Sequence, residues 1–372
     1  MLELKVTRDE LLKGVSKTQS IAEKRSSMPI LSNILIDAQN DQLLITATDL
    51  EISFKGTFAA EVKKSGRLTV PARKLYEIIH EMSDEALVLK ELDNYNLEVS
   101  SARSNYQLHG LSAEDFPPMP DYESVTFLDI PAETLSDMIE KTIYSISTEE
   151  TRYNLSGVCV ERIPDEESPK LRFVSTDGHR LSLMDAPIPG LDRLGMTGRV
   201  IISRKGLMEM KKLADEGNDL KLGFTGNSAV VIKDTSVLVI RLLEGRFPDY
   251  NLVIPKDNPA IMTLGRKDFL EAMRRISTML SDRYKGARFD IETKNLTITV
   301  VNPDVGEATE NLPVEFTGDG ISAGFNVKYF IEILSPLKAD AVQVVLKDAK
   351  SPCLIKSEED RGFLGVIMPM NL

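Results

Sequence analysis

The pair Asp177 and His179 has the residue types and the spacing that acid–base chemistry would need. A carboxylate can orient an imidazole as a general base, and a nucleophile can join the two from elsewhere in the chain, because the partners of a catalytic triad meet only in space. The same segment, Asp177-Gly178-His179-Arg180, follows a predicted strand and favours a turn in which Gly178 supplies a positive φ. The turn is the simpler of the two interpretations.

The remaining sequence lacks the compact motifs that enzymes use to bind phosphates, metals or acyl groups. The chain has three histidines, and it contains no phosphate loop, no dinucleotide-binding glycine pattern, no metalloprotease helix motif and no nucleophile elbow. Its two cysteines, Cys159 and Cys353, are far apart and form no Cys-x-x-Cys pair. We therefore predict a protein that is not an enzyme and that needs no metal or organic cofactor.

The composition is that of a globular protein, with 42% hydrophobic and 27% charged residues among 372. That length predicts two to four domains. No apolar run approaches the ~18 residues that cross a bilayer, and the first residues alternate like a strand instead of forming a signal-peptide core. Together with the scarcity of cysteine, these features predict a cytoplasmic protein.

Short patterns recur three times in the same order, which predicts three tandem domains. Each copy has a strand that leads into an amphipathic helix and then paired strands. A second helix follows, which begins after an apolar strand end with a residue that commonly starts helices and one or two basic residues. The three starters of this second helix are Pro71, Ser203 and Asn326. The predicted fold class is therefore α+β, with domains at residues 1–122, 127–251 and 257–372, each having two helices packed on antiparallel sheets.

Charge is distributed unevenly between the predicted helices and the rest of the chain. The six predicted helices cover residues 8–25, 72–82, 133–146, 203–216, 266–285 and 326–338. They carry a net charge of +5, whereas the remainder carries −17 and the whole chain −12. If all six helices shared one side of the molecule, that side could attract phosphates without reading bases. Ordinary solvated helix faces are the alternative that charge alone leaves open.

Five segments carry a specific resemblance that spans the chain in order: Met28–Leu35, Thr48–Glu51, Thr176–Leu181, Gly245–Tyr250 and Val366–Leu372. They resemble the bacterial DNA polymerase III beta subunits, the replicative sliding clamps. The resemblance implies a head-to-tail homodimer whose six domains form a ring around duplex DNA, with the helices lining the hole. It also implies a processivity factor that tethers the replicative DNA polymerase and other DNA-processing proteins, and that an ATP-driven clamp loader places on DNA.

A groove for short partner peptides follows from the same resemblance. Its implied lining residues are Leu155, Thr176, Gly178, His179, Arg180, Leu181, Pro248, Leu252, Val253, Val366, Ile367, Met368, Pro369, Met370 and Leu372. The apolar, methionine-rich chain end supports a binding role independently, because such ends pack or bind something and methionine adapts to several ligands. A final strand that simply tucks into its own core is the alternative. Asn371 and Pro352 depart from the usual family residues, which predicts altered peptide preference.

The resemblance and the helix placement also give residues for two further surfaces. Arg25 and Arg152 match DNA-contacting positions of the family, and helix placement adds Arg204, Lys205, Lys211, Arg274 and Arg275. In the implied dimer an edge strand of the first domain, residues 103–108, pairs with a third-domain strand near residues 304–310. The expected interface residues are Lys74, Arg103, Tyr106 and Leu108 on one side and Met279, Leu280, Asp304, Glu307 and Glu310 on the other, with Tyr106 and Leu108 as apolar anchors.

Two other classes of protein stay open on the sequence alone. One is an enzyme with an unrecognised site on this scaffold, and the other is a repeat-built protein-interaction scaffold that does not bind DNA. Retention on circular DNA that disappears on linearisation distinguishes a ring-shaped clamp from both.

Overall fold

The computed structural model describes residues 1–22, 28–149, 151–165, 168–257, 259–281 and 283–372. This part of the chain contains six α-helices and 26 β-strands, in an order that recurs three times. Each copy has one strand, a first helix, a run of strands, a second helix and three final strands. The predicted succession of strands and helices is therefore seen in all three copies.

The bounds of the elements follow the chain. The first copy has β1 (Glu3–Thr7), α1 (Arg8–Ser16), β2 (Asn33–Gln39), β3 (Gln42–Thr48), β4 (Ile52–Ala59), β5 (Glu61–Lys64), β6 (Gly66–Pro71), α2 (Ala72–Glu81), β7 (Ala86–Glu91), β8 (Asn96–Ser100) and β9 (Asn105–His109). The second has β10 (Phe127–Ile130), α3 (Ala132–Glu140), β11 (Gly157–Ile163), β12 (Lys170–Thr176), β13 (Arg180–Pro187), β14 (Val200–Ser203), α4 (Arg204–Ala214), β15 (Leu220–Phe224), β16 (Ser228–Lys233) and β17 (Ser236–Arg241). The third has β18 (Ala260–Gly265), α5 (Arg266–Ser277), β19 (Gly286–Ile291), β20 (Asn295–Asn302), β21 (Gly306–Pro313), β22 (Glu315–Phe316), β23 (Ile321–Asn326), α6 (Val327–Leu334), β24 (Ala341–Leu346), β25 (Cys353–Lys356) and β26 (Phe363–Ile367).

Two of the four sheets join neighbouring copies. An eight-stranded sheet, in the order β10-β15-β16-β17-β4-β3-β2-β6, pairs β17 of the second copy antiparallel with β4 of the first. A nine-stranded sheet, in the order β14-β11-β12-β13-β26-β25-β24-β18-β22, pairs β13 of the second copy antiparallel with β26 of the third. The other two sheets have the orders β5-β1-β7-β8-β9 and β21-β20-β19-β23.

Because of these shared sheets, the chain packs as two compact units. One comprises residues 1–132, 193–196 and 208–242, and the other comprises residues 133–192, 197–207 and 243–372. Each unit has its own buried core. The core of the second unit includes a group of aromatic rings in which Phe289 stacks on Phe330 with centroids 5.1 Å apart, and Phe269 meets Phe330 edge-on at 5.4 Å.

Helix starts are close to the sequence predictions, but several helices end earlier than predicted. α1 ends at Ser16 and not at residue 25, α3 at Glu140 and not at 146, and α5 at Ser277 and not at 285. A threonine hydroxyl donates to a carbonyl of the last turn at each of these ends, at 2.7 Å in all three. Side chains of this type offer the backbone an alternative to continuing the helix. The three residues are Thr18, Thr142 and Thr278.

The shorter helices weaken the predicted charge segregation. Within their observed bounds the six helices carry 13 Lys and Arg against 11 Asp and Glu, a net charge of +2 instead of +5. α3 has three acidic and no basic residues, whereas α4 has four basic residues and one acidic. Positive charge is thus concentrated on α4 and α5. None of the helices in the described ranges combines the length and the apolar character that spanning a membrane requires.

Candidate functional site

The turn between β12 and β13 is fixed by its own side chains. Gly178 has a φ of 89°, which confirms the predicted positive φ. The carboxylate of Asp177 accepts hydrogen bonds from the backbone N–H groups of His179 and Arg180 at 2.9 and 3.0 Å, and Thr176 Oγ1 accepts one from the Gly178 N–H at 3.1 Å. Asp177 therefore holds the turn and the neighbouring guanidinium, and it does not orient the exposed imidazole as a catalytic base would require.

Arg180 is buried, with only 7% of its surface exposed. Its guanidinium donates to Asp177 Oδ2 at 3.1 Å, to Glu332 and to the backbone carbonyl of Tyr144, and it lies over the Tyr329 ring at 4.5 Å from the centroid. These bonds make Arg180 a positioning residue that joins the turn to α6.

Several of the predicted groove residues share one apolar cluster. Leu155, Leu181 and Val366 are buried together with Phe247 and Tyr250. Pro248, Leu252 and Val253, close to that cluster in sequence, are exposed, and 83% of the Leu252 surface is accessible. Exposed apolar side chains beside a buried apolar cluster are typical of ligand grooves.

The segment around Tyr250 is held by a buried polar network. The Tyr250 hydroxyl donates to Glu161 and accepts from Arg172 at 3.1 Å, while Arg172 forms a two-pronged ion pair with Asp185 at 2.6 and 2.7 Å. Arg199 binds Glu161 at 2.7 Å and lies over the Tyr250 ring. Burial raises the pKa of Tyr250 to about 12, so the phenol stays protonated and can donate. The network fixes the short turn that begins at Tyr250.

The chain end lies beside the turn. The Met368 N–H donates to the His179 carbonyl at 2.9 Å, and the Met370 N–H donates to the Gly324 carbonyl at 2.8 Å. Met368 and Pro369 are half-buried, whereas Met370 and Leu372 are 37% and 67% exposed.

A cleft of about 1040 Å³ also borders the turn, and its lining includes His179 and the buried Arg180. It also includes Asn326 and Tyr329, at the start of α6, which sequence reasoning missed. Asn326 was identified only as a helix starter, and its side chain does accept a hydrogen bond from the Lys328 N–H at 3.0 Å.

The candidate DNA-contacting residues differ in exposure and in the bonds that they form. Arg25 lies outside the described residues. Arg204 and Arg274 are exposed, and Lys205 is partly exposed. Arg152 pairs with Glu149 at 2.8 Å and donates to the Asp177 carbonyl at 3.0 Å, so it supports the turn.

Two further candidate cations are engaged in ion pairs within the chain. Lys211 pairs with Asp215 at 2.7 Å. Arg275 pairs with Glu310 through two contacts of 2.8 Å, and the hydrogen bond from Arg275 lowers the pKa of the Glu310 carboxyl. The sequence had assigned Arg275 and Glu310 to different surfaces.

The predicted interface strands are both the last strands of their sheets: β9 in the five-stranded sheet and β21 in the four-stranded sheet. Tyr106 is 41% exposed, as an anchor should be, but Leu108 is only 7% exposed because it packs into its own sheet. This corrects the choice of Leu108 as an apolar anchor. Lys74 is exposed and pairs with Glu77 at 2.6 Å.

On the other interface side, Asp304 and Glu307 are exposed, and Met279 and Leu280 are partly exposed. Sequence reasoning missed Val301 and Val305, each 63% exposed near β21. Exposed β-branched residues beside an unpaired strand were the signal that could have identified them.

Family models cover nearly the whole chain in three consecutive parts. The N-terminal domain of the DNA polymerase III beta subunit matches residues 2–120, the central domain matches residues 129–249, and the C-terminal domain matches residues 251–371.

Curated proteins and solved structures agree with the models. The beta sliding clamp of Caulobacter vibrioides is 33% identical over 374 residues and that of Vibrio cholerae 32% over 375, in each case across 100% of both chains. The sliding clamp of Bartonella birtlesii bound to griselimycin superposes with a TM-score of 0.94 at 34% identity, and the clamp of Caulobacter crescentus with 0.93 at 32%, again over 100% of both chains.

Proposed function

The chain belongs to the DNA polymerase III beta subunit family, the beta sliding clamps, and from this premise we propose that two copies close head to tail into a ring around duplex DNA. The protein is a DNA polymerase processivity factor and not an enzyme. Its partners are DNA, a second copy of itself and the replicative polymerase. We assign its three clamp domains to residues 1–122, 127–251 and 257–372, and we place it in the cytoplasm.

The observation that supports ring closure is a rule of strand pairing within the chain. In each case the third strand after the second helix of one copy pairs with the third strand after the first helix of the preceding copy. This holds for β17 with β4 and for β26 with β13, both antiparallel. The same rule would pair β9 of the first copy with β21 of a third copy. The chain's own β9 and β21 are the ends of two separate sheets, and we propose that β21 of a second chain pairs with β9. Both strands are sheet edges, and unpaired edges are templates for another chain.

The side chains at the two edges are complementary. Arg103 is exposed near β9, and Asp304 and Glu307 are exposed at the start of β21. Tyr106 on β9 has its apolar counterparts in the exposed Val301 and Val305. Opposite charges at the rim fix the register, while the apolar residues supply most of the affinity.

We expect Tyr106→Glu to weaken the dimer about 100-fold, because it buries a carboxylate opposite an acidic strand where an aromatic anchor was. Tyr95→Glu is the matched control, since Tyr95 is also an exposed tyrosine of the first copy, at 48%, but lies outside β9. Sedimentation at micromolar concentration would measure both. A wild-type protein that sediments as a 41.4 kDa monomer would contradict the ring.

DNA binding is proposed to rest on loose phosphate contacts from α4, α5 and neighbouring loops, including Arg204, Lys205 and Arg274. A closed ring is retained topologically, so these contacts need not be strong, and weak contacts let it slide. The chain has no nucleotide-binding motif of its own, and we propose that an ATP-driven clamp loader opens the ring.

We expect protein loaded on nicked circular DNA to stay bound through gel filtration and to leave within minutes once the circle is linearised. Neutralising Arg204 and Arg274 together should reduce the salt slope of DNA binding by about one unit for each phosphate that is no longer neutralised. Equal retention on circular and linear DNA would favour a scaffold or an unrecognised enzyme over a clamp.

Partner proteins, including the polymerase, are proposed to bind through short peptides beside the His179 turn. The buried cluster of Leu155, Leu181 and Val366 would form the floor, and the exposed Leu252, Val253 and the chain end would form the rim. Asn371 and Pro352 would tune which peptides bind best.

A further inference from the structure

Two glycines stand in neighbouring strands where the backbone does not require glycine. Gly286 begins β19 and Gly324 lies inside β23, and the register places them two positions apart along this strand pair. Neither has a φ in the left-handed region. Glycine inside a strand weakens it, and it often marks a place where another segment approaches closely.

The segment that approaches is the chain's own C-terminus. A Cβ atom on Gly286 would lie 2.4 Å from Leu372 Cδ2 and 2.8 Å from Met370 Sδ. A Cβ on Gly324 would lie 2.4 Å from the Met370 carbonyl oxygen and 2.7 Å from Leu372 Cγ. All four distances are below the 3.0 Å that real Cβ contacts keep. The space left by the two missing side chains is therefore filled by Met370 and Leu372.

The backbone of the tail is held by two hydrogen bonds. Its backbone donates to the His179 carbonyl through Met368 and to the Gly324 carbonyl through Met370. β23 is the last strand of its sheet, so the second bond extends that sheet by one residue of the tail. Leu372 remains 67% exposed, and the close approach of its side chain to the two glycines adds to these two hydrogen bonds in positioning the final residues.

We propose that Gly286 and Gly324 are positioning residues for peptide binding, because they form the seat that holds Met370 and Leu372 as a wall of the groove. The inference rests on the proposed peptide-binding function. A wall that is already in place when the peptide arrives avoids the entropic cost of ordering five terminal residues at each binding event. The peptide itself need not touch either glycine.

The test compares Gly324→Ala with Gly320→Ala. A Cβ at position 324 would strike the backbone of the tail, whereas at position 320 it would meet only the Ile291 carbonyl oxygen at 3.6 Å. We expect Gly324→Ala to weaken binding of a fluorescent synthetic peptide from the cognate polymerase at least 10-fold, and Gly320→Ala to leave it unchanged. The NMR signal of the Met370 ε-methyl group should sharpen and move to its free position only in Gly324→Ala.

A second pair of variants separates the seat from general damage to the sheet. At Gly286 the nearest contact is with the Leu372 side chain, and the Met370 sulfur at 2.8 Å belongs to a flexible side chain that can shift. The loss of affinity caused by Gly286→Ala should therefore be smaller in a Leu372→Ala background than in the wild type. At Gly324 the nearest contact is with the tail backbone, so Leu372→Ala should not rescue Gly324→Ala. Thermal unfolding of each variant identifies any that fails to fold. If Gly324→Ala fails to fold, the comparison of Gly286→Ala with and without Leu372→Ala tests the proposal.

The results that would contradict the positioning role of the two glycines differ from those that would contradict peptide binding itself. A released Met370 signal with unchanged peptide affinity would overturn the positioning role and leave peptide binding intact. Equal losses of affinity in Gly320→Ala and Gly324→Ala would overturn it as well. A wild-type protein that binds no polymerase peptide would instead count against the proposed function, while the Met370 signal would still report whether the seat exists.

Discussion

Replacing Lys141 with methionine is expected to destabilise the fold by about 3–5 kcal/mol, because it removes the cation from the buried Asp360 carboxylate and leaves Asp137 only the longer contact with Lys338 at 3.4 Å. Lys141 is 2% exposed, and its ammonium lies 2.7 Å from Asp137 Oδ2 and 2.8 Å from Asp360 Oδ1. Asp360 also accepts the backbone N–H groups of Lys338 and Ala339. This cluster joins the end of α3 in the second copy to the loop before β26 in the third. Urea denaturation at fixed protein concentration measures the change in unfolding free energy.

The matched control is Lys211→Met. Lys211 makes an i,i+4 pair with Asp215 at the same 2.7 Å, but on a more exposed helix surface, where such a pair contributes about 0.5 kcal/mol or less. Adding Asp360→Asn to Lys141→Met should recover part of the stability by removing the unpaired charge. Similar destabilisation by Lys141→Met and Lys211→Met would show that the buried cluster contributes no more than a surface pair.

The effect of Lys141→Met should depend on pH. Burial alone would raise the pKa of Asp360, but hydrogen bonds from Lys141 and from the two backbone N–H groups outweigh it and lower the pKa below its ordinary value. A lowered pKa gives stability that is fully present above the unfolded value, about 3.9, and that is lost as the pH falls through the folded value. The difference between wild type and Lys141→Met should thus be largest near neutral pH and shrink on acidification below about pH 4.

Deleting residues 368–372 is expected to abolish polymerase-peptide binding, with affinity falling at least 100-fold, while the dimer stays intact. The deletion removes the wall held at His179 and Gly324 but keeps β26, whose pairing with β13 ends at Ile367. Fluorescence anisotropy measures the peptide, and sedimentation measures the dimer.

Asn371→Ala is the control for the deletion, because Asn371 is exposed and its side chain has no hydrogen bond in the described part of the chain. It should change peptide preference at most. If the truncated protein bound the peptide with normal affinity, the chain end would only be a final strand tucked into its own core.

Local patterns predicted the repeated order of elements and the turn at Gly178, because both depend on residues close together in sequence. The helix ends were predicted less well. Thr18, Thr142 and Thr278 bond back to the last turn, and amphipathic spacing does not reveal that competition.

The sequence could not show how charges pair across long separations. It placed Arg180 in the groove lining, yet Glu332, 152 residues away, helps to bury that guanidinium. It likewise treated Arg275 and Glu310 as members of two surfaces, although they bind each other. The glycine seat left a weak sequence signal, since Gly324 interrupts a strand, but its occupant could be identified only from the fold.

The strand exchange between copies has a consequence for synthesis on the ribosome. β4 is complete at residue 59 but must wait for β17, which begins at residue 236, and β13 waits equally long for β26. At about 5–20 residues per second, each strand emerges with one side unsatisfied for roughly 10–35 s. Unpaired strand edges of this kind can pair with other chains and cause aggregation. During this interval of synthesis, binding by chaperones should matter most for folding in the cell.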